Sequence, residues 1–112
     1  DNYLWLLERD DRALVVDPGD GRAVGAALAQ RGLRLEGILV THHHPDHIGG
    51  IGTLLAEAAV PVYGPRAEAA RIPTLTHLLD DGDVVEALGL RIEVLAVPGH
   101  TLGHLAYVTE VG

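Results

Sequence analysis

The order of the elements in this sequence predicts an α/β or α+β fold in which helices pack on a mixed β-sheet. Two apolar strands open the chain, a helix and a buried strand follow, and after a second helix the remaining elements are mainly strands. This order is typical of layered domains, because each helix covers one face of a sheet. The chain has 112 residues, of which 47% are hydrophobic, so residues 1–112 suffice for one domain with a core.

The first predicted elements are two strands and a helix. Strands are predicted over residues 2–8 and 13–16, joined by an acidic turn at residues 10–11. A helix of about three turns follows, because apolar residues recur at helical spacing from Val24 onward and Gly32 supplies a stop. We expect the domain to be truncated at both ends, because the sequence contains no Met and both ends lie in predicted strands.

The middle of the chain begins with a buried strand over residues 38–40, a short continuous apolar run. A second helix is predicted from apolar residues at helical spacing, namely Ile48, Ile51, Leu55 and Ala58. A short strand at residues 61–64 and one or two helical turns over residues 65–71 complete this part.

Strands dominate the last third of the chain. They are predicted at residues 84–88, 90–97 and 104–109, and a polar turn at residues 80–83 precedes the first of them. In the middle strand, alternation predicts one face made of Ile92, Val94 and Ala96 and another made of Arg91, Glu93 and Leu95.

A dense group of metal-ligand side chains directly follows the predicted strand at residues 38–40. The group consists of His42, His44, Asp46 and His47. Imidazole and carboxylate are the groups that zinc-like ions take from proteins. Alternate residues of an extended segment point the same way, so His42 and His44 can share one metal ion. Asp46 and His47 are then available to a second ion.

His100 is the candidate for a distant third ligand, because it follows a strand and lies between Gly99 and Thr101. Alone, such a histidine would more often be a packed loop residue. Three imidazoles and one water make an open site of the catalytic type, in which the metal lowers the pKa of the water and supplies hydroxide at neutral pH.

Several other polar residues are assigned less direct roles. We expect His43 to point away from the metals and His77 to be an ordinary structural or surface residue. For His104, strand packing or a hydrogen bond near the site is favoured over metal binding, which is the alternative. Asp80, Asp81 and Asp83 lack the spacing of a calcium loop and are expected to form a solvated turn.

Composition excludes several classes of function. Eight basic residues stand against 16 acidic residues, a net charge of −8, so nucleic-acid binding is not expected. No apolar stretch approaches the ~20 residues that span a membrane, and no membrane partner is expected. The absence of Cys excludes disulfides and favours a cytoplasmic protein.

Three motifs carry a resemblance to a known family. The run Thr41-His42-His43-His44-Pro45-Asp46-His47-Ile48-Gly49-Gly50 resembles the His-x-His-x-Asp-His signature of the metallo-β-lactamase superfamily. Two further motifs of that superfamily appear in the expected order as Val16-Asp17-Pro18-Gly19 and Pro98-Gly99-His100-Thr101-Leu102-Gly103-His104. The resemblance puts Asp17, which ends a strand, close to the metal loop, so we expect it to orient a ligand histidine. The opening residues 1–7 and the stretch 61–64 narrow the resemblance to the glyoxalase II type, the hydroxyacylglutathione hydrolases.

The resemblance implies a fold, a metal site and a reaction. The fold is an αββα sandwich, of which this chain would supply the first half. A first metal ion would be held by His42, His44 and His100, and a second by Asp46 and His47. The implied cofactor is Zn²⁺ at two sites, with Fe or Mn as alternatives. A bridging hydroxide, steered in part by Asp46, would attack the thioester of S-D-lactoylglutathione, the small-molecule partner, giving D-lactate and glutathione.

The resemblance also implies residues that lie beyond this sequence. In the family, a bridging aspartate in a Gly-Asp-Thr stretch, a later histidine and a glutathione-binding helical region follow. We therefore expect a thioesterase in the intact protein and weak or no activity in the segment alone. The alternatives are another enzyme of the superfamily, such as a lactonase or a mono-iron persulfide dioxygenase, and a metal-binding fragment without catalysis. The pattern leaves the oligomeric state open.

Overall fold

The computed structural model describes residues 5–18, 21–41, 50–57, 59–96 and 105–109. The strands in these ranges are β1 Trp5–Arg9, β2 Arg12–Val16, β3 Arg34–Leu39, β4 Val62–Pro65, β5 His77–Leu79, β6 Val84–Ala87, β7 Leu90–Ala96 and β8 Leu105–Val108. The helices are α1 Gly21–Arg31, α2 Ile51–Glu57 and a 3₁₀ helix at Arg66–Arg71.

The strands form two sheets. The first has five strands in the order β1-β2-β3-β4-β5, with β1 antiparallel to β2 and the other three pairs parallel. The second is an antiparallel sheet in the order β6-β7-β8. Because α1 joins β2 to β3 and α2 joins β3 to β4, the carboxyl ends of these three parallel strands lie at one edge of the first sheet.

Apolar side chains on the two faces of the first sheet enter two different cores. On β2, Ala13 and Val15 face the helices, whereas Leu14 faces the second sheet. The strand β3 repeats this division, with Ile38 on the helix side and Leu39 on the other side. All five side chains are fully buried, which explains why the central strands read as continuous apolar runs rather than as alternating ones.

The layers are therefore helix, sheet and sheet. The core on the helix side includes Val24 and Leu28 of α1 together with Ile51 and Leu54 of α2. The core between the sheets includes Val85, Ile92, Val94 and Leu105 of the second sheet. The described part of the chain thus contains three consecutive layers of an αββα sandwich, and the α/β fold class predicted from the sequence is confirmed.

Most of the predicted elements appear within a few residues of their predicted bounds. The helix α1 ends before Gly32, whose positive φ of 66° is the left-handed conformation that favours glycine after a helix. Ile92 and Val94 are buried on one face of β7, as predicted. Ala96, predicted on the same face, is exposed, because it is the last residue of the strand.

Two parts of the sheets were not predicted from the sequence, namely β5 and the first four residues of β3. The strand β5 has three residues at the outer edge of the first sheet, and two of them, His77 and Leu78, are exposed. Its apolar pattern is therefore too short to be recognised. Ile48 and Ala58, predicted for the second helix, lie outside the described residues. Among the residues that are described, no helix is long and apolar enough to cross a membrane.

Candidate metal centre

Two residues at the end of β2 contact both ends of the segment that carries the histidine cluster. Asp17 accepts hydrogen bonds from Thr41, the last described residue before the cluster. The carbonyl of Pro18 accepts a hydrogen bond from the amide of Gly50, the first described residue after it, at 2.7 Å. Segment 42–49 therefore leaves and rejoins the described structure beside one strand end, at the edge where layered α/β folds often bind ligands.

The carboxylate of Asp17 makes two hydrogen bonds to the same residue. The backbone amide of Thr41 donates to Oδ1 at 2.8 Å, and the Thr41 hydroxyl donates to Oδ2 at 2.6 Å. Bonds to an ionised acceptor are stronger than those between neutral groups. Because Thr41 precedes His42 directly, the bonds fix the direction in which the chain enters the cluster.

Asp17 itself has a left-handed backbone, with a φ of +48°. This conformation is uncommon for residues other than glycine, but Asp and Asn tolerate it better than most. The Asp17 amide donates to the carbonyl of Leu39 at 2.9 Å, so the hydrogen bonding between β2 and β3 continues through the bend. The bend and the two bonds to Thr41 together explain why an aspartate suits this position.

Gly50 and Gly21 allow the start of α2 to approach the start of α1 closely. A Cβ atom on Gly50 would lie 2.3 Å from the amide nitrogen of Gly21 and 2.5 Å from the Pro18 carbonyl. A Cβ on Gly21 would lie 2.7 Å from the Gly50 carbonyl. No side chain fits at either position without a shift of backbone, so Gly50, directly after the cluster, allows close backbone contact with Gly21.

The second segment that carries a predicted ligand, residues 97–104, is flanked by a strand pair that contacts Thr41. Segment 97–104 joins β7 to β8, whose facing ends pair at Ala96 and Leu105. The amide of Leu105 donates to the carbonyl of Thr41 at 2.9 Å. One residue, Thr41, therefore contacts the base of this hairpin and also begins the histidine-rich segment.

The predicted ligands themselves lie outside the described residues. These are His42, His44, Asp46, His47 and His100, and the same holds for His43 and His104. Their assignments remain predictions. Within the described ranges, no group of three or more His, Cys, Asp or Glu side chains could hold a metal ion.

Three polar predictions fall on described residues. The acidic run is a turn, in which the amide of Asp80 bonds to the Asp83 carboxylate at 2.8 Å and Asp81 accepts a hydrogen bond from the amide of Ala96 at 2.8 Å. His77 is exposed on β5, and its ring lies 4.7 Å from that of Tyr63, as an ordinary surface histidine. Asp17 lies beside the cluster as expected, but its role in orienting a histidine stays a prediction.

Replacing Asp17 with Ala should destabilise the full-length protein by about 2–4 kcal/mol, since it removes two hydrogen bonds to a charged group and leaves Ala in a left-handed conformation. Asp17→Asn should cost about 1 kcal/mol, because Asn keeps one acceptor and tolerates the same φ. Thermal unfolding of the two variants and the parent measures the order of their stabilities. An Ala variant that melts with the parent would refute the role of these bonds.

The sequence motifs and the layered fold agree with the family model that matches this chain. A family model described as the metallo-beta-lactamase superfamily matches residues 2–112. The chain belongs to the metallo-beta-lactamase superfamily.

Curated relatives narrow the similarity. The hydroxyacylglutathione hydrolase of Dechloromonas aromatica (strain RCB) is 53% identical over 107 residues, which cover 96% of this chain and 40% of that protein. The enzyme of the same name from Vibrio campbellii (strain ATCC BAA-1116) is 52% identical over 112 residues, covering 98% of this chain and 44% of that protein. The chain thus spans less than half the length of these relatives.

Solved structures share the fold over nearly the whole chain. The crystal structure of ETHE1 from Myxococcus xanthus matches with a TM-score of 0.82 and 28% identity, covering 96% of this chain and 48% of that one. The BLEG-1 B3 metallo-beta-lactamase matches with a TM-score of 0.82 and 26% identity, covering 93% of this chain and 60% of that one.

Proposed function

We propose that the full-length protein is a metal-dependent thioester hydrolase of the hydroxyacylglutathione hydrolase type. Its substrate would be S-D-lactoylglutathione, and its products D-lactate and glutathione. The proposal rests on about 50% identity to curated enzymes of that name, together with the hydrogen bond between Leu105 and Thr41. The cytoplasm is the proposed location, supported by a chain without Cys.

The bond between Leu105 and Thr41 is the structural observation that carries the proposal. His42 and His44 lie one and three residues beyond Thr41, and His100 lies five residues before Leu105. Only a few residues of chain therefore separate each histidine from a shared anchor point, which is the arrangement that a common metal ion requires. Two segments that left opposite ends of the sandwich could not meet in this way.

The donor set suits a divalent metal ion. His42, His44 and His100 would hold one ion, and Asp46 and His47 would contribute to a second. When bound, such ions lower the pKa of a water molecule and polarise a carbonyl group. We propose zinc, which imidazole and carboxylate ligands bind, with Fe or Mn as the alternatives that the same ligands suit.

The protein's own groups would position the reaction. Asp46 would hold and orient the attacking water, and the Asp17 carboxylate keeps Thr41 in place at the entrance to the cluster. In the reaction, the oxygen of water bonds to the thioester carbon, the carbon–sulfur bond breaks, and glutathione leaves as the thiol with the proton. No oxidant or reductant is needed.

The proposal is tested with full-length protein loaded with zinc and assayed on S-D-lactoylglutathione. We expect hydrolysis that a chelator abolishes and that added zinc restores. The alternative activities are assayed separately, lactonase activity on a lactone and dioxygenase activity on glutathione persulfide with oxygen consumption measured. Rapid lactone opening without thioester cleavage, or oxygen uptake by an iron-loaded form, would overturn the assignment, as would metal-loaded protein without any hydrolysis.

A further inference from the structure

Tyr107 is a polar side chain of the inter-sheet core that the proposed reaction does not use. It is the third residue of β8 and packs, partly buried, against the cluster between the two sheets. Its strand begins where segment 97–104 ends. Its hydroxyl reaches across to the first sheet, although the two contacting residues are 67 positions apart in the chain.

The acceptor of this hydroxyl lies at the exit of β3. The Tyr107 hydroxyl donates to the carbonyl of Val40 at 2.5 Å and lies 3.5 Å from the carbonyl of Tyr63. Val40 is fully buried, and its own amide donates to the Tyr63 carbonyl at 2.8 Å. Without Tyr107, the Val40 carbonyl would lose this donor in a place that water does not reach.

Two residues of β8 therefore hold two successive carbonyl groups at the end of β3. Tyr107 binds the carbonyl of Val40, and the amide of Leu105 binds that of Thr41 at 2.9 Å. The amide and the hydroxyl of Thr41 are bound in turn by the carboxylate of Asp17. The exit of β3, before segment 42–49, and the strand β8, after segment 97–104, are thus joined by the backbone bond from Leu105 and the side-chain bond from Tyr107.

We infer that Tyr107 is a positioning residue whose hydroxyl fixes the separation between the two ligand-bearing segments and thereby sets the affinity for metal. The inference rests on the proposed metal centre, but not on the identity of the substrate. Pairing with β7 holds β8 within the second sheet, and the bonds from Leu105 and Tyr107 tie two points of this strand to the exit of β3 in the first sheet. Leu105 and Thr41, the described residues that flank the two segments, are then held at one separation.

The protonation state of the phenol suits this role. Burial raises the pKa of Tyr107 above its ordinary value, and the nearby carboxylate of Asp17 raises it further. The hydroxyl therefore stays protonated and keeps donating to the Val40 carbonyl throughout the neutral range.

The test is Tyr107→Phe in the full-length protein, with zinc affinity measured by competition against a chromophoric chelator. The ring stays packed while the hydroxyl is lost. Outer partners of metal sites typically change affinity by 10–100-fold, and we expect about tenfold weaker zinc binding here. The absorption bands of the cobalt-loaded protein should also shift, because they report ligand geometry.

Two control variants separate positioning from general destabilisation. Tyr63→Phe removes a hydroxyl from the neighbouring strand β4 and should bind zinc as the parent does. Ile92→Val trims a buried side chain of β7 and should lower the melting temperature by a few degrees, about as much as Tyr107→Phe, without weakening zinc binding. Equal loss of affinity in Ile92→Val, or zinc binding by Tyr107→Phe within twofold of the parent, would overturn the inference.

The same data distinguish this inference from the proposed function. If the parent binds zinc but does not cleave the thioester, the proposed substrate is wrong while the Tyr107 comparison still stands. If the parent cleaves the thioester and Tyr107→Phe binds zinc as tightly, the inference alone fails. Saturating zinc should restore hydrolysis by Tyr107→Phe close to the parental rate, since the variant retains every ligand.

Discussion

His44→Ala in the full-length protein should lower the rate of S-D-lactoylglutathione hydrolysis by at least about 100-fold, because removal of a ligand should cost more than the 10–100-fold typical of its outer partners. The imidazole has no substitute at that position, since Ala cannot bind metal. Zinc content, measured on the purified variant by mass spectrometry, should fall together with the rate.

A matched control is His77→Ala, which removes an exposed imidazole from β5. This strand lies at the edge of the first sheet, three strands away from β2 and its contacts with the histidine-rich segment. This variant should keep parental zinc content and rate. Equal rates in His44→Ala and the parent would contradict the assignment of His44 as a ligand, and equal losses in both histidine variants would show that the substitution acts through folding.

Leu39→Asp should unfold the protein or cost at least about 4 kcal/mol, because it puts an unpaired charge into the core between the sheets. Leu39 is fully buried, and its side chain belongs to the cluster that includes Leu14, Val94 and Leu105. The substitution removes apolar contacts at the same time as it buries a carboxylate. Thermal unfolding followed by circular dichroism measures the loss.

The control for this prediction is Leu78→Asp. Leu78 is 36% exposed on the edge strand β5, so the introduced carboxylate stays in water. The melting temperature should therefore fall by no more than a few degrees. A Leu39→Asp variant that melts like the parent would contradict the position of β3 in the centre of the fold.

The sequence predicts those parts of the fold that local chemistry determines. Gly32 ends α1 because its backbone is left-handed there, and alternation along β7 buries Ile92 and Val94. Both effects are visible in a few consecutive residues. The continuous apolar run of β3 likewise reports burial on two faces.

The division of the strands into two sheets depends on contacts that no local pattern contains. The strand β5 pairs with β4 through His77, Leu78 and Leu79, and only Leu79 is buried. Nothing in such a short and exposed segment marks it as the edge of the first sheet. Nor does the sequence state that β6 begins a new sheet, since the alternation of exposed Val84 and buried Val85 indicates a strand but not its neighbours.

The candidate site divides in the same manner. The spacing of His42, His44, Asp46 and His47 carries its chemistry in the sequence itself, whereas the anchors around the cluster are long-range contacts. Of these anchors, only Thr41 is marked in the sequence, because it directly precedes the cluster. The bond from Tyr107 to Val40 is not marked: alternation in β8 puts Tyr107 on the buried face with Leu105, but not its hydroxyl on a particular carbonyl.

The most direct measurement of the central claim is a crystal structure of the full-length protein with zinc, in which anomalous scattering locates the metal. We predict one zinc ion with imidazole nitrogens of His42, His44 and His100 at about 2.0–2.1 Å, the usual zinc–nitrogen distance. A zinc ion bound by His42 and His44 while the ring of His100 lies beyond reach of the metal would contradict the convergence of the two segments.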